Sequence, residues 1–205
     1  EEVNAVLALV RVPDPRQFGV AVVRDGRVVE LVEKPEDPPS DLAIAGVYVF
    51  DSHVHAQLEG LQPGAKGEYQ ITDAIQRLIE RGFNVAPVEV GGWWKDTGRP
   101  EDILDANRLQ LDRISGLVSG RVEDSRLTGE VIVEEGALVS GSRVEGPVII
   151  AAGARVVDSR VGPHTTVGAG CHLEGVDVEY SVIGERSRLE RLRAPVRESL
   201  IGVDA

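Results

Sequence analysis

The feature that most restricts the fold of this chain is a regular spacing of aliphatic residues in its second half. Ten aliphatic positions are separated by 6, 6 and 5 residues, three times over, so each repeat is 17 residues long. These positions are Leu127, Val133, Val139, Val144, Ile150, Val156, Val161, Val167, Leu173 and Val178. Three short strands per repeat, each pointing one aliphatic side chain inward, predict a three-sided parallel β-solenoid.

Small residues follow the same period and suit the tight corners of such a solenoid. They are Ser125, Ser142 and Ser159 in one position and Gly136, Gly153 and Gly170 in another. The period slips near Glu179 to Arg188, because the segment Ser181–Gly184 resumes it one residue early. Residues 191–197 are loosely patterned, as the terminal coil of a solenoid often is.

Residues 1–114 show a different organisation, in which strand and helix signals alternate. Asp25-Gly26 between two alternating apolar runs predicts a β-hairpin. Apolar residues at helical spacing predict a helix that ends before Gly82, and Arg99-Pro100 predicts the start of a second helix. Further strands are predicted at Ala5–Val12, Ala43–Phe50 and Val85–Val90. This order is typical of an α/β domain, so we predict an α/β part over 1–114 and the solenoid over 115–205.

Composition excludes several classes of function. A net charge of −12 argues against a surface that binds nucleic acid or an anionic membrane, since both need clustered lysine and arginine. One cysteine excludes an internal disulfide and fits a reducing compartment, so we expect a cytoplasmic protein. No apolar run approaches the length of a membrane span. The chain has no methionine, and we expect it to be part of a longer protein.

The segment Trp93–Gly98 places a lone carboxylate, Asp96, between a predicted strand and a predicted helix. Open α/β sheets tend to hold ligands at such places. From the residues alone, Asp96 could bind a metal, act as a base or cap the helix that follows.

Several segments occur in an order that carries a family resemblance. They are Val12–Val20, Glu33-Lys34-Pro35, Ala45–Asp51, Gly67–Asp73 and Trp94–Gly98. Together with the repeat, they resemble the C-terminal half of glucose-1-phosphate thymidylyltransferases of the long form, which belong to the sugar nucleotidyltransferases. The resemblance implies an incomplete Rossmann-like α/β domain followed by a left-handed, hexapeptide-repeat β-helix.

The resemblance also implies site residues. Glu33 would accept hydrogen bonds from sugar hydroxyls, and Lys34 would contact the sugar phosphate as a catalytic cation. Asp96 would be a catalytic residue as one of two aspartates that hold Mg²⁺. The remaining contacts to glucose 1-phosphate would come from Phe18, Gly19, Ile44 and Trp94.

Two motifs of this family are absent from the chain: the glycine-rich nucleotide loop G-G-x-G-T-R-L, and the Gly-Asp-Asn segment with the second aspartate. The resemblance implies that the complete enzyme joins dTTP and glucose 1-phosphate to give dTDP-glucose and pyrophosphate, and that it forms a homo-oligomer through the β-helix. We expect this chain alone to be inactive. The alternatives are a non-catalytic sugar-phosphate-binding or assembly module, a nucleotidyltransferase for another base or sugar, and an acyltransferase that uses His164.

Four further residues have simpler interpretations. His53 and His55 are expected to be ordinary surface residues, since a spacing of two does not bring side chains together on a helix. Cys171 shares its repeat position with alanines and is expected to be a small packing residue. His164 is expected to be an exposed turn residue at a solenoid corner.

Overall fold

The computed structural model describes residues 2–64 and 67–205. The chain divides into two compact units, Glu1–Trp94 and Lys95–Ala205. The second unit contains the helix α3 (Pro100–Leu111) as well as the repeats. The predicted domain boundary between residues 114 and 115 stays a prediction.

The first unit is built on a five-stranded sheet in the order β3-β2-β4-β1-β5. The strands are β1 (Ala5–Arg11), β2 (Gly19–Arg24), β3 (Arg27–Glu33), β4 (Leu42–Phe50) and β5 (Val85–Glu89). β1 and β5 are parallel, and the other pairs are antiparallel. The predicted hairpin is confirmed: Asp25 and Gly26 have φ of 49° and 76°, as a turn with two left-handed residues requires.

Two helices accompany this sheet, α1 (His53–Leu58) and α2 (Ile71–Glu80). α2 buries Ala74, Ile75 and Leu78 completely, because these residues share one helical face. It ends as predicted, since Gly82 follows with φ of 83° and its N–H donates to the carbonyl of Ile79. Short α1 was not predicted, because its six residues carry too little periodicity to identify.

The second unit is a parallel β-solenoid of about five turns, which confirms the predicted fold class and is consistent with a left-handed β-helix. Its strands form three sheets of five, five and six strands. They are β6 (Leu117–Val118), β7 (Arg121–Glu123), β8 (Arg126–Thr128), β9 (Val131–Val133), β10 (Leu138–Ser140), β11 (Arg143–Glu145), β12 (Val148–Ile150), β13 (Arg155–Val157), β14 (Arg160–Val161), β15 (Thr165–Val167), β16 (His172–Glu174), β17 (Asp177–Glu179), β18 (Val182–Ile183), β19 (Arg188–Glu190), β20 (Val196–Arg197) and β21 (Leu200–Ile201).

The strand register confirms the period and its slip. Val139 pairs with Val156, and Val156 pairs with Leu173, each 17 residues further along the chain. Leu173 then pairs with Leu189, 16 residues on, because the corner between β17 and β18 has lost one residue. Coil length therefore changes at a corner while the inward positions stay aligned.

A ladder of serine hydroxyls runs along one corner of the solenoid. The N–H of Ser142 donates to Ser125 Oγ at 2.9 Å, and the N–H of Ser159 donates to Ser142 Oγ at 3.0 Å. Ser142 and Ser159 are buried, so each hydroxyl satisfies a backbone donor that water cannot reach. The serine period in the sequence thus reflects hydrogen bonding as well as small size.

α3 begins as predicted, with Pro100 at its first position and Glu101 and Asp102 in its first turn. It contacts the solenoid through Asn107, whose Nδ2 donates to the carbonyl of His164 at 3.1 Å and whose Oδ1 accepts from Thr166 Oγ1 at 2.7 Å. Within residues 2–64 and 67–205, no helix is both long and apolar enough to cross a membrane.

Candidate functional site

The candidate site in the first unit lies where β3 ends. The N–H of Lys34 donates to the carbonyl of Phe18 at 3.0 Å, which ties the end of β3 to the start of β2. Lys34 itself has φ of 43°, a left-handed conformation that is uncommon for a residue with a side chain. The sharp change of direction leaves the side chains of Glu33 and Lys34 beside each other.

Glu33 has a defined set of neighbours. Its side chain is 25% exposed, and Lys34 Nζ lies 3.5 Å from its Oε1. Its other oxygen, Oε2, accepts a hydrogen bond from Thr72 Oγ1 at 3.1 Å. Glu33 is therefore more than one half of an ion pair with Lys34, because its second carboxylate oxygen is held by a buried threonine.

Gly19 permits a close approach of three side chains. A Cβ at this position would lie 2.8 Å from Thr72 Cγ2, 3.0 Å from Ile44 Cδ1 and 3.2 Å from Glu33 Oε2. Any larger residue at position 19 would displace the Glu33 carboxylate or the side chains of Thr72 and Ile44. Ile44 is itself buried, so it supports this cluster from below.

Trp94 and Phe18 form an aromatic wall. Their ring centroids lie 5.3 Å apart at an interplanar angle of 73°, an edge-to-face arrangement. Trp94 Nε1 donates to the carbonyl of Ala45 at 3.1 Å, which fixes the orientation of the indole. All six residues predicted to contact the sugar phosphate thus lie within one connected cluster of the first unit: Phe18, Gly19, Glu33, Lys34, Ile44 and Trp94.

Two residues of this cluster were missed from the sequence, Tyr48 and Thr72. The pKa of Tyr48 is raised because burial disfavours the phenolate and the negative charge of Glu33 adds repulsion. Both residues lie inside segments that carry the family resemblance, Ala45–Asp51 and Gly67–Asp73. Their position in these segments was the one indication in the sequence that they could belong to the site, although the resemblance assigned them no role.

Asp96 belongs to the second unit and is exposed. The capping alternative is wrong, because the residue at the N-cap of α3 is Arg99 and not Asp96. The part of the chain that the structure describes contributes no side-chain hydrogen bond or salt bridge to Asp96. Its charge nevertheless contributes to raising the pKa of Arg99, after the larger effect of the Arg99–Asp102 hydrogen bond.

The two cations that flank Asp96 are both engaged by Asp102. Lys95 Nζ lies 2.9 Å from Asp102 Oδ1, and Arg99 Nε lies 3.0 Å from Asp102 Oδ2. Lys95 also contacts Asp105 at 3.1 Å. The Asp102 side chain is only 9% exposed, and the hydrogen bonds from Arg99 and then Lys95 lower its pKa to about 2. This network fixes the segment around Asp96 to the first turn of α3.

A pH dependence follows from Asp102. Its folded pKa of about 2 lies below the ordinary value of 3.8, so its contribution to stability is present above pH 3.8 and is lost as the pH falls through about 2. Asp102→Asn should lower the melting temperature at pH 7 and reduce the loss of stability between pH 4 and pH 2. Circular dichroism melts over this range test it. A variant at the exposed partner Asp105, Asp105→Asn, should have a smaller effect, and an unchanged Asp102→Asn profile would contradict the assignment.

His164 lies at a solenoid corner with φ of 53°, which confirms the predicted turn. The predicted exposure is wrong, because its side chain is 18% exposed. Its ring stacks on Tyr180 at a centroid distance of 5.4 Å, and Nε2 lies 2.7 Å from Asp112 Oδ1 just beyond α3. Nδ1 is buried, and none of the residues that the structure describes is its hydrogen-bond partner. Packing of α3 onto the solenoid, which the repeat does not encode, covers this histidine.

The other simple interpretations are confirmed. His53 and His55 are exposed on α1, and His53 Nδ1 lies 2.9 Å from Asp51 Oδ2. Cys171 is buried in the solenoid core at the position that Ala137 and Ala154 occupy in earlier coils.

A group of three side chains with possible metal-ligand atoms lies on the solenoid: His172, Glu174 and Glu190. Their ligand atoms lie within 4.8 Å of one another. Arg191 binds Glu174 at 2.6 Å, and Arg188 contacts Glu190. Since both carboxylates are neutralised by arginine, the group is a charge-balanced surface network of adjacent coils.

A sequence model of the nucleotidyl transferase family matches residues 1–113. Because this match covers more than half of the chain, the chain belongs to the nucleotidyl transferase family. A glucose-1-phosphate thymidylyltransferase from Streptomyces griseus is 45% identical to it over 201 residues, which cover 97% of this chain and 56% of that protein. The resemblance predicted from the motifs is thereby confirmed.

Other relatives agree with this assignment. A glucose-1-phosphate thymidylyltransferase from Streptomyces antibioticus is 42% identical over 200 residues, again 97% of this chain and 56% of that protein. A low-salt glycan biosynthesis nucleotidyltransferase from Haloferax volcanii is 47% identical over 136 residues, 65% of this chain and 38% of that protein. The chain thus spans about half the length of the curated relatives that match nearly all of it.

Proposed function

We propose that this chain supplies the glucose-1-phosphate site of a thymidylyltransferase that makes dTDP-glucose and pyrophosphate from dTTP and glucose 1-phosphate. The observation that carries the proposal is the pairing of Glu33 and Lys34 at the end of β3. A carboxylate and an ammonium group lie side by side there, and both are partly accessible. Glucose 1-phosphate carries hydroxyl donors and an anionic phosphate, the two groups that such a pair recognises.

The surroundings of this pair support a sugar ligand. Phe18 and Trp94 present an aromatic wall in the same cluster, and aromatic side chains offer apolar surface to a sugar ring. The names of the two Streptomyces relatives give the same sugar phosphate and the same nucleotide. None of the residues to which we assign a role recognises the nucleobase, so the choice of dTTP depends on these relatives.

Mg²⁺ is the metal implied by this activity. Asp96 is a suitable ligand, because its carboxylate is exposed and receives no side-chain hydrogen bond from the described residues. Mg²⁺ in proteins commonly binds one or two carboxylates and keeps several of its water ligands. When bound, Mg²⁺ would neutralise charge on the reacting phosphates. We infer that Asp96 is one ligand and that the second carboxylate comes from the Gly-Asp-Asn segment, which these 205 residues do not contain.

In the proposed reaction the phosphate of the sugar attacks the α-phosphorus of dTTP in line, and pyrophosphate leaves. The residues of this chain bind and orient the attacking group: Glu33 accepts from sugar hydroxyls and Lys34 offsets the phosphate charge. Catalysis of this kind depends on positioning and on charge neutralisation, and it needs no base from the protein. The solenoid would assemble copies of the enzyme.

Calorimetry on the 205-residue chain tests the sugar-phosphate site directly. We expect glucose 1-phosphate to bind with a dissociation constant between about 1 μM and 1 mM, in the range of typical substrate affinities. Glucose 6-phosphate is the matched control and should bind at least about tenfold more weakly, because its phosphate is attached at the opposite end of the ring. Equal affinity for the two sugars, or no binding of either, would refute the proposed site.

Pyrophosphate release by the same chain decides between an enzyme part and a complete enzyme. We expect none from dTTP, glucose 1-phosphate and Mg²⁺, since the chain lacks the G-G-x-G-T-R-L loop. Binding without turnover also fits the alternative of a sugar-phosphate-binding module. Turnover on addition of a polypeptide that carries the loop would exclude that alternative.

A further inference from the structure

The segment Gly67–Asp73 carries part of the family resemblance, yet the proposed function gives none of its residues a role. Thr72 is the member that reaches the site. It lies in the first turn of α2 and is 3% exposed. Its hydroxyl donates to Glu33 Oε2 at 3.1 Å, although the two residues are 39 positions apart in the chain.

We propose that Thr72 is a positioning residue, which holds the Glu33 carboxylate so that Oε1 faces the sugar. This proposal rests on the proposed function, because it takes Glu33 as the acceptor for sugar hydroxyls. A carboxylate accepts hydrogen bonds at both of its oxygens, and a carboxylate that no neighbour holds samples many orientations. With Oε2 bound to a buried hydroxyl, Oε1 is the oxygen that lies beside Lys34 Nζ at 3.5 Å.

The packing around Thr72 explains why it is a threonine. Its methyl group, Cγ2, fills the space above Gly19, where a Cβ would lie 2.8 Å away. Its hydroxyl at the same time satisfies Glu33. The methyl and hydroxyl groups of threonine are attached to the same Cβ in staggered positions, so the place of the methyl group sets the direction of the hydroxyl. Gly19 and Thr72 together therefore set where Glu33 can lie.

Two substitutions separate the hydroxyl from the rest of the side chain. Thr72→Val keeps the branched shape and removes the donor, whereas Thr72→Ser keeps the donor. In calorimetry we expect Thr72→Val to weaken glucose 1-phosphate binding about fivefold, less than the loss of a direct hydrogen bond to the ligand, because Thr72 acts only through the orientation of Glu33. Thr72→Ser should bind within about twofold of the wild type. Thr128→Val, which removes a hydroxyl from the solenoid, is the matched control and should leave binding unchanged.

A second readout does not depend on the ligand. The ¹³Cδ resonance of Glu33 in the free chain should shift in Thr72→Val and stay near the wild-type position in Thr72→Ser. Thr72→Ala gives the same comparison if the valine variant melts below the assay temperature. Wild-type affinity and an unshifted Glu33 resonance in Thr72→Val would overturn the positioning role. Failure of the wild-type chain to bind glucose 1-phosphate would refute the proposed function instead, and the Glu33 resonance would still decide the role of Thr72.

Discussion

Replacement of Glu33 by alanine is expected to weaken the binding of glucose 1-phosphate by about 100-fold, or ~3 kcal/mol. The carboxylate would accept from more than one sugar hydroxyl, and each hydrogen bond to a charged group contributes about 1.5–3 kcal/mol. Its removal also leaves Thr72 Oγ1, which is buried, without its acceptor. Calorimetric titration of the 205-residue chain measures the change.

The glutamine variant and a nearby acid provide the controls. Glu33→Gln keeps the shape of the side chain and one hydrogen-bond acceptor. Its affinity for glucose 1-phosphate should fall about tenfold, to a value between those of the alanine variant and the wild type. Glu36→Gln removes a charge from an exposed side chain three residues away and should bind like the wild type. Equal losses in Glu33→Ala and Glu36→Gln would mean that net charge, and not a specific acceptor, governs binding.

Replacement of Asp96 by asparagine is expected to lower Mg²⁺-dependent turnover by about 1,000-fold in a polypeptide that also carries the nucleotide loop. Asparagine keeps the size of the side chain but removes the charge that a hard divalent cation requires. The fold should be unaffected, because Asp96 is exposed and is not the cap of α3. Pyrophosphate release at increasing Mg²⁺ concentration gives the measurement.

Asp124→Asn is the matched control for this experiment. Asp124 is also an exposed aspartate, and its φ of 45° is one that asparagine tolerates well. It should retain full turnover. If Asp96→Asn turned over at the wild-type rate with an unchanged Mg²⁺ requirement, Asp96 would not be a metal ligand.

The sequence predicted most of the fold because its patterns are local. The period of 17 defines which solenoid residues point inward, and Asp25-Gly26 specifies a two-residue hairpin turn through φ angles that few other pairs adopt. The coil that is one residue short was also visible, since a lost residue shifts every later member of the repeat. Features of the fold that depend on a single segment of the chain could therefore be predicted from the sequence.

The site was predicted less completely, because it depends on contacts between distant segments. Six residues were predicted through family resemblance to contact the sugar phosphate, and the structure of the first unit brings them into one cluster. Thr72 was missed because its bond to Glu33 requires the first turn of α2 to lie beside the end of β3. His164 was expected to be exposed because the repeat does not show that α3 lies over its corner.

The solenoid coil that is one residue shorter than the preceding ones shows how such a domain can tolerate insertions and deletions. Leu173 and Leu189 stay paired although one residue fewer separates them, and Val178 and Val196 stay paired with one residue more. Deletions and insertions at the corners are thus absorbed without moving any inward side chain out of the core. One residue added or removed at a corner should therefore leave the core intact, whereas the same change within a three-residue strand would turn its apolar side chain toward water.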